Sequence, residues 1–352
     1  MSLKVWIATQ RERFGRAVAG FDRATPIRLL THNDADGLAA AALLSRAFLR
    51  VSLPTRVRIL RRGETPWSEA IRGELRGQDV GGLIVTDLGV RPGLIRPETP
   101  TVIIDHHVPV GCPPGATVIS GHGQKPTPTS SLLAFWCAGA LTEVDDLLWI
   151  AALGVIGDLG DRAEFDEFAA ARKRYGAIAL REATSLVNAP RRAAAGDAQP
   201  AFELLMKAAG PRAITDGQHP ETALLRRAQG EVRAALEEGK RVAPRIKGPV
   251  ALIRLHSACQ IHPLVAQVWR NRLKDRVVIA ANTGYRPGWV HFSVRSASGV
   301  NLIDFLRERA PATADENYGS GHEQATGGAL STNGWNEFVA GLGFGSDVQV
   351  GA

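Results

Sequence analysis

Short apolar runs alternate with longer helical segments in the first half of the chain. Residues 27–31, 83–86 and 101–104 are predominantly apolar and have the length of buried strands. Residues 38–49 are rich in alanine and leucine, and residues 147–156 form a longer apolar run, so both segments predict helices. Because strands that alternate with helices usually form a parallel sheet, this half predicts an α/β domain.

The second half has two parts of different character. From about residue 165 to residue 247 the chain is rich in Ala, Arg and Glu and is interrupted by Pro190, Pro200 and Gly210-Pro211, a pattern that indicates helices and loops. A second α/β pattern starts at Pro249 and ends in the glycine-rich segment 319–328. Its predicted strands are 250–255, 277–282 and 289–295, and its predicted helices are 263–273 and 302–309.

These patterns predict an α/β protein with two domains, since 352 residues are too many for one ordinary core. We expect a parallel-sheet domain over residues 1–185 and a smaller α/β domain over residues 247–345, joined by a helical linker over residues 186–246.

Composition and charge narrow the class of protein only slightly. Hydrophobic residues make up 45% and charged residues 22% of the chain, as in ordinary globular proteins. The formal net charge of +7 suits a polyanionic partner such as nucleic acid. Arginine greatly outnumbers lysine and alanine is abundant, which also fits a bias in genomic base composition, so charge alone leaves the partner open.

The cysteines and the apolar runs indicate in which part of the cell the protein lies. The three cysteines form no CxxC pair, and their odd number argues against a disulfide framework. No secretory signal is visible at the start of the sequence, and the apolar runs are much shorter than a membrane span. We therefore expect a cytoplasmic protein without a membrane segment, and the oligomeric state stays open.

Residues typical of metal ligands follow the predicted strands of the first half. The first strand runs into His32, Asp34 and Asp36, the second ends in Asp87, and the third ends in Asp105-His106-His107. The apolar helix that follows ends near Asp158. Because the carboxyl ends of parallel strands share one edge of a sheet, these side chains should converge there.

Each of these aspartates alone would more often be a helix cap or a turn residue, but their recurrence after successive apolar segments favours a metal site. Paired histidines after a buried strand would also be costly without partners. The donors are carboxylates and imidazoles without thiolate, which suits Mn²⁺ or Mg²⁺ rather than structural zinc. Enough carboxylates are present for two ions that share one bridging ligand.

The first half resembles the DHH phosphoesterase superfamily, which includes RecJ-type exonucleases, nanoRNases, cyclic-dinucleotide phosphodiesterases and family II pyrophosphatases. The segment His32-Asn33-Asp34-Ala35-Asp36-Gly37 is similar to the first motif of that family, Asp87 to the second, Asp105-His106-His107 to the third and Asp158 to the fourth. The chain departs from the RecJ branch at His32, where those enzymes carry Asp.

The resemblance implies a role for each motif residue. Asp87 would bridge two divalent ions, Mn²⁺ being favoured and Mg²⁺ the alternative, and a water activated by both ions would attack the phosphorus. His107 would face the substrate phosphate, and Asp105 would orient the histidines. Asp36, Asp87, His106 and His107 would carry catalysis. One ion would be held by His32, Asp34 and Asp87, and the other by Asp36, Asp87, His106 and Asp158.

The second half resembles the DHHA1 domain that accompanies this family. The resemblance rests on Ser293-Val294-Arg295-Ser296, on Val300-Asn301-Leu302 and on Gly319-Ser320-Gly321-His322, in which Ser320 replaces the usual glycine. It implies that Arg295, Gly319, Gly321 and His322 bind a substrate phosphate. The chemistry agrees, since glycines expose backbone N–H groups to anions and arginine binds phosphate through two N–H groups.

We therefore expect a metal-dependent phosphodiesterase, specifically an exonuclease acting on single-stranded nucleic acid or short oligonucleotides in the cleft between the two domains. A cyclic-dinucleotide or other small-nucleotide phosphodiesterase is the first alternative; an inorganic pyrophosphatase and a non-catalytic nucleic-acid-binding module rank lower. Trp67, Trp289 and Tyr318 are candidates for base stacking, although each also suits core packing.

Overall fold

The structure is a computed structural model that describes residues 2–314 and 318–351, with the backbone alone at positions 162 and 320–322. It divides into two compact units. The first comprises the chain up to Arg191 together with Gly196–Arg227, and the second comprises Arg192–Ala195 and the chain from Ala228 onward. Both units are α/β in composition, so the predicted fold class is confirmed.

The first unit is built on a five-stranded parallel sheet with the strand order β2-β1-β3-β4-β5. Its strands are β1 (Ile27–Thr31), β2 (Thr55–Ile59), β3 (Gly82–Thr86), β4 (Thr101–Asp105) and β5 (Thr117–Ser120). Its helices are α1 (Leu3–Ala19), α2 (Ala35–Arg50), α3 (Glu69–Arg76), α4 (Ser130–Ala138), α5 (Leu148–Leu159), α6 (Asp166–Tyr175), α7 (Ala177–Arg192), α8 (Gln199–Lys207) and α9 (Pro211–Thr215).

Alternation along the strands distributes the apolar side chains between the two faces of this sheet. Leu29, Ile84 and Ile104 belong to the larger core, which also takes in α2, α4 and α5. Leu30, Val85 and Ile103 belong to a smaller core with α3. Burial on both faces explains why the central strands are nearly continuous apolar runs in the sequence.

The second unit contains a six-stranded sheet with the strand order β10-β11-β9-β8-β7-β6. Its strands are β6 (Arg245–Lys247), β7 (Val250–Leu255), β8 (Val277–Arg286), β9 (Trp289–Ser296), β10 (Ser320–His322) and β11 (Ala325–Ser331). Only β7 and β8 pair in parallel within the described part of this sheet. Its helices are α11 (His262–Arg272), α12 (Leu302–Arg307) and α13 (Thr332–Gly341), and α10 (Pro220–Gly239) runs from the first unit into the second.

The region that the sequence predicted as a linker is helical, but much of it packs into the first unit. Leu186 and Val187 of α7, Leu204 of α8 and Ile214 of α9 are buried in the larger core. Among the described residues, no helix combines the length and apolar character needed to cross a membrane.

Candidate metal centre

The local backbone brings the motif residues to one edge of the first sheet. Strands β1, β3 and β4 are neighbours, and their carboxyl ends lead into His32, Asp87 and His106 respectively. Asp34 caps α2 by accepting a hydrogen bond from the Gly37 N–H at 3.1 Å. Asp158 lies in the last turn of α5. Helix geometry and strand order thus place four sequence-distant segments together.

The side chains form two candidate ligand sets that share Asp87. In the first set, His32 Nδ1 lies 2.9 Å from Asp34 Oδ2 and 3.3 Å from Asp87 Oδ2. In the second, His106 Nε2 lies 3.2 Å from Asp158 Oδ2, 3.5 Å from Asp87 Oδ1 and 4.0 Å from Asp36 Oδ2. Within each set the potential ligand atoms lie within 4.8 Å of one another. The structure therefore brings together all six residues that the sequence nominated as ligands: His32, Asp34, Asp36, Asp87, His106 and Asp158.

The electrostatics of this cluster fit bound cations. Asp36 is fully buried, and burial together with the carboxylates of Asp87 and Asp158 raises its pKa well above the usual range. Burial also raises the pKa of Asp158. His106 Nε2 is buried and, among the described atoms, has no hydrogen-bond partner of acceptable geometry, although carboxylate oxygens surround it. A divalent cation would offset the repulsion and give this nitrogen a partner.

The nearby carboxylates also raise the pKa of the two histidines in the cluster. Burial alone would lower the pKa of His32, but Asp34 and Asp87 outweigh it and raise the pKa to about 10. Burial would likewise lower the pKa of His106, but Asp158, Asp87 and Asp36 raise it to about 11. Without metal, both imidazoles therefore carry a proton at neutral pH.

Asp105 and His107 form a separate pair beside the cluster. The buried carboxylate of Asp105 accepts the His107 backbone N–H at 2.7 Å and the Gly89 N–H at 2.7 Å, and lies 3.1 Å from His107 Nδ1. The bond to Asp105 raises the pKa of His107. The ring therefore donates through Nδ1, while the side chain as a whole is 55% exposed. The imidazole of His107 is thus held beside Asp105 at the surface of the site.

The N-terminus of α4 is a part of the site that the sequence analysis missed. The backbone N–H groups of Ser130 and Ser131 donate to Asp36 at 2.7 and 2.9 Å, and Ser130 Oγ donates to Asp87 Oδ1 at 2.9 Å. A helix N-terminus stabilises a carboxylate in this way. The signal was present in the sequence, since Thr129-Ser130-Ser131 before an apolar run is a typical helix start.

The end of α7 supplies two further partners that the sequence did not reveal. Arg191 Nη1 forms an ion pair with Asp34 Oδ2. Burial alone would raise the pKa of Asp34, but the charges of His32 and Arg191 outweigh it and hold that pKa well below its usual range. Asn188 Oδ1 accepts the Ala35 N–H at 2.9 Å at the start of α2. Both residues therefore fix the segment that carries Asp34 and Asp36.

Close packing and one unusual backbone angle fix residues of the cluster. Asp87 has φ of +61°, in the left-handed region that aspartate and asparagine tolerate better than most residues. A Cβ on Gly37 would lie 2.7 Å from the carbonyl oxygen of His32, and one on Gly154 would overlap Ser131 Oγ and Asp36 Oδ1. The space beside His32 thus requires Gly37, and the space beside Asp36 and Ser131 requires Gly154.

The second unit holds the residues nominated for substrate phosphate. Arg295 on β9 is partly buried, and its Nη1–H groups donate to the carbonyl oxygens of Val294 at 2.9 Å and Thr326 at 3.2 Å. Burial and the nearby Arg270 lower its pKa. Gly319 has φ of +73°, and Gly321 pairs with Thr326 in the sheet. The side chain of His322 lies outside the described residues, so its predicted role stays a prediction.

We predict that Mn²⁺ binding releases protons and strengthens as pH rises. His32 and His106 are protonated below their raised pKa values of about 10 and about 11, whereas a metal ligand must be a neutral imidazole. Titration calorimetry in buffers of different ionisation enthalpy should detect at most one proton from each histidine. Affinity that stays constant between about pH 6 and about pH 8 would contradict this linkage.

We predict that Gly154→Ala weakens Mn²⁺ binding by roughly 10–100-fold, as changes beside metal ligands typically do. The added methyl group would displace Asp36 or Ser131. Gly230→Ala on α10 is the matched control, because a methyl group there meets no described atom within 4 Å. Circular dichroism should confirm that both variants are folded, and equal Mn²⁺ affinity in the two would show that Gly154 does not position Asp36.

The chain has similar solved structures, although comparisons of its sequence find no match. No family model matches the chain, and no curated protein matches it in sequence. Among solved structures, the chain is similar to an exonuclease RecJ bound to manganese, with 20% identity, a TM-score of 0.65 and coverage of 95% of this chain and 93% of that one.

Two further solved structures agree. RecJ from Thermus thermophilus in complex with Mn²⁺ has 21% identity and a TM-score of 0.67; the match covers 95% of this chain but only 54% of that longer one. The DHH domain of a protein assigned to a family of ribosomal proteins has 15% identity and a TM-score of 0.64, with 97% and 90% of the two chains covered. The resemblance that the motifs indicated is thus confirmed at the level of the fold: the chain has the fold of the DHH superfamily.

Proposed function

We propose that this chain is a metal-dependent phosphodiesterase that acts as an exonuclease on single-stranded nucleic acid or short oligonucleotides. The observation that carries the proposal is the pair of ligand sets joined through Asp87 at the carboxyl edge of the first sheet. Two divalent cations that share one carboxylate are suited to the hydrolysis of phosphate esters. The similar RecJ structures, solved with Mn²⁺ and with Mg²⁺, support this chemistry by analogy of fold.

The residues would divide the work as follows. One ion would be held by His32, Asp34 and Asp87 and the other by Asp36, Asp87, His106 and Asp158, and the pair would supply Lewis acidity to the phosphate and to water. Mn²⁺ is the proposed metal and Mg²⁺ the alternative, since both suit oxygen-rich ligand sets.

The chain's own contribution to catalysis centres on His107. Asp105 lies 3.1 Å from His107 Nδ1, fixes the ring and raises its pKa; in the protonated ring Nδ1–H would face Asp105 and Nε2–H would donate to a phosphate oxygen. Such a donor would stabilise the charge that develops on the phosphate oxygens as the new bond forms. The role differs from that of His106, which faces the carboxylates.

The second unit would bind the substrate phosphate. Arg295 has a fixed guanidinium on β9, and the backbone of the Gly319–His322 segment lies in the sheet beside it through β11. We propose that Arg295, Gly319, Gly321 and His322 contact phosphate oxygens, through a guanidinium and through backbone N–H groups. We also retain the cytoplasm as the proposed location, which agrees with three cysteines that form no disulfide.

A cleavage panel with Mn²⁺ tests the proposal. The panel contains a dinucleotide, short and long single strands labelled at either end, duplex, cyclic dinucleotide and pyrophosphate. Stepwise shortening of the single strands from one end is expected. Preferred hydrolysis of cyclic dinucleotide would support the alternative activity instead, and cleavage of pyrophosphate alone or of no compound would reject the phosphodiesterase.

We predict that Asp36→Asn and Asp87→Asn each lower kcat by at least about 100-fold, comparable to the loss of a major electrostatic contact in other enzymes. Asparagine keeps the shape of both side chains and tolerates the positive φ of Asp87, so the change removes charge without imposing backbone strain. Asp161→Asn is a suitable control because this partly exposed residue pairs with Arg181 rather than with the cluster. Near-normal turnover in either cluster variant would refute the shared two-ion site.

We predict that Arg295→Ala raises KM by about tenfold or more and leaves metal affinity unchanged. A charge-assisted hydrogen bond to phosphate that is equal in the bound substrate and the transition state affects KM rather than kcat. Steady-state kinetics on a short oligonucleotide and Mn²⁺ titration give the two quantities. Loss of bound Mn²⁺ in this variant would contradict the proposed division between metal and substrate residues.

A further inference from the structure

One of the six candidate ligands is already paired with an arginine. Arg191 Nη1 forms an ion pair with Asp34 Oδ2, the same oxygen that lies 2.9 Å from His32 Nδ1. The other oxygen of Asp34 accepts the Gly37 N–H at 3.1 Å. Both oxygens of this carboxylate therefore have donors. One of those donors carries a permanent positive charge, because a guanidinium does not lose its proton in a protein.

The helix that carries Arg191 fixes its position. Leu186 of α7 is buried in the larger core, and Asn188 Oδ1 accepts the Ala35 N–H at 2.9 Å. The Arg191 side chain itself is only 20% exposed. Its Nε is buried and has no hydrogen-bond partner in the part of the chain that the structure describes. The packing of α7 thus keeps the charge of this guanidinium beside the first ligand set.

The two ligand sets differ in the charge that they offer to a cation. The first set contains two carboxylates, from Asp34 and Asp87, and Arg191 cancels the charge of one of them. The second set contains three carboxylates, since Asp36 and Asp158 join the shared Asp87. With neutral imidazoles, one negative charge remains in the first set and three remain in the second. A divalent cation is therefore attracted more strongly to the second set.

A cation bound to Asp34 would also lie close to another positive charge. Ligand oxygens lie about 2.1 Å from Mg²⁺, so an ion on Asp34 would be within roughly 5 Å of the guanidinium that contacts the same carboxylate. His32 can release its proton and become a ligand, whereas Arg191 cannot. Repulsion between the ion and the guanidinium therefore opposes occupancy of the first set.

We propose that Arg191 makes the two ion sites unequal: it holds the first set at low cation affinity, so that the second set binds its ion first. The inference rests on the two-ion site of the proposed function and adds to it an order of binding and the residue that sets this order. In the alternative interpretation Arg191 only orients Asp34, and removal of its charge would weaken ion binding.

Titration of metal-free protein with Mn²⁺ tests the order of binding, with free Mn²⁺ measured by electron paramagnetic resonance. The wild type should bind two ions with dissociation constants that differ by about tenfold or more, the effect of a unit charge a few ångströms from a divalent ion. Asp34→Asn should abolish the weaker step and keep the tighter one, since asparagine also caps a helix such as α2. Loss of the tighter step in this variant would overturn the proposed order.

Replacement of Arg191 tests the cause of the inequality. In Arg191→Gln, which removes the charge but keeps a hydrogen-bond donor, the ratio of the two dissociation constants should fall about tenfold because the first set binds more strongly. Arg191→Lys keeps the charge and should keep the wild-type ratio. Arg181→Gln is the matched control, because it removes a charge from the same helix about 15 Å from Arg191, where Arg181 pairs with Asp161. Circular dichroism should confirm that the variants are folded.

The outcomes separate this inference from the proposed function. An unchanged ratio in Arg191→Gln, or weaker binding at both steps, would show that Arg191 only orients Asp34. Two ions of equal affinity in the wild type would overturn the inference and leave the two-ion site in place. A wild type that binds no Mn²⁺ would overturn the proposed function and this inference with it.

Discussion

The repulsion among buried carboxylates at the edge of the first sheet is the constraint on which the site depends. Asp36 is fully buried and Asp87 nearly so, and both have potential ligand atoms within 4.8 Å of others in their set. Charges that are taken out of water and placed together raise the free energy of the folded state unless they are paired. Several contacts offset this repulsion between carboxylates. Backbone N–H groups at the start of α4 and the Ser130 hydroxyl donate hydrogen bonds to the carboxylates. His32 and His106 bring positive charge, and Arg191 pairs with Asp34.

This constraint also explains features of the fold that would otherwise seem incidental. The strand order places β1, β3 and β4 side by side, so the candidate ligands that follow their ends lie together without long loops. Gly154 allows α5 to approach Asp36 and Ser131, and the left-handed backbone of Asp87 directs one carboxylate towards both histidines. A cation site made of such elements is pre-organised, because the cost of gathering the ligands is met during folding.

The sequence predicted the central strands and the candidate ligand residues that the structure brings together, because both are local signals. Burial on both faces produces the apolar runs of β1, β3 and β4, and the ligands follow within a few residues. The edge strand β2 was missed because it is only partly buried and carries Arg56 and Arg58, and β5 because it is short. The contact of Arg191 with Asp34 spans more than 150 positions in sequence and arises from the packing of α7 on the first unit, which no local pattern encodes.

The two adjacent histidines of the DHH motif illustrate how strand geometry separates chemical roles. Successive residues at a strand end point in different directions, so neighbours meet different surroundings. The His106 side chain is 14% exposed and faces Asp87 and Asp158, whereas that of His107 is 55% exposed and pairs with Asp105. Their rings remain close, with centroids 4.5 Å apart. Under the proposed function, a phosphate that contacts His107 would therefore lie next to a metal ion held by His106, and this proximity would favour hydrolysis.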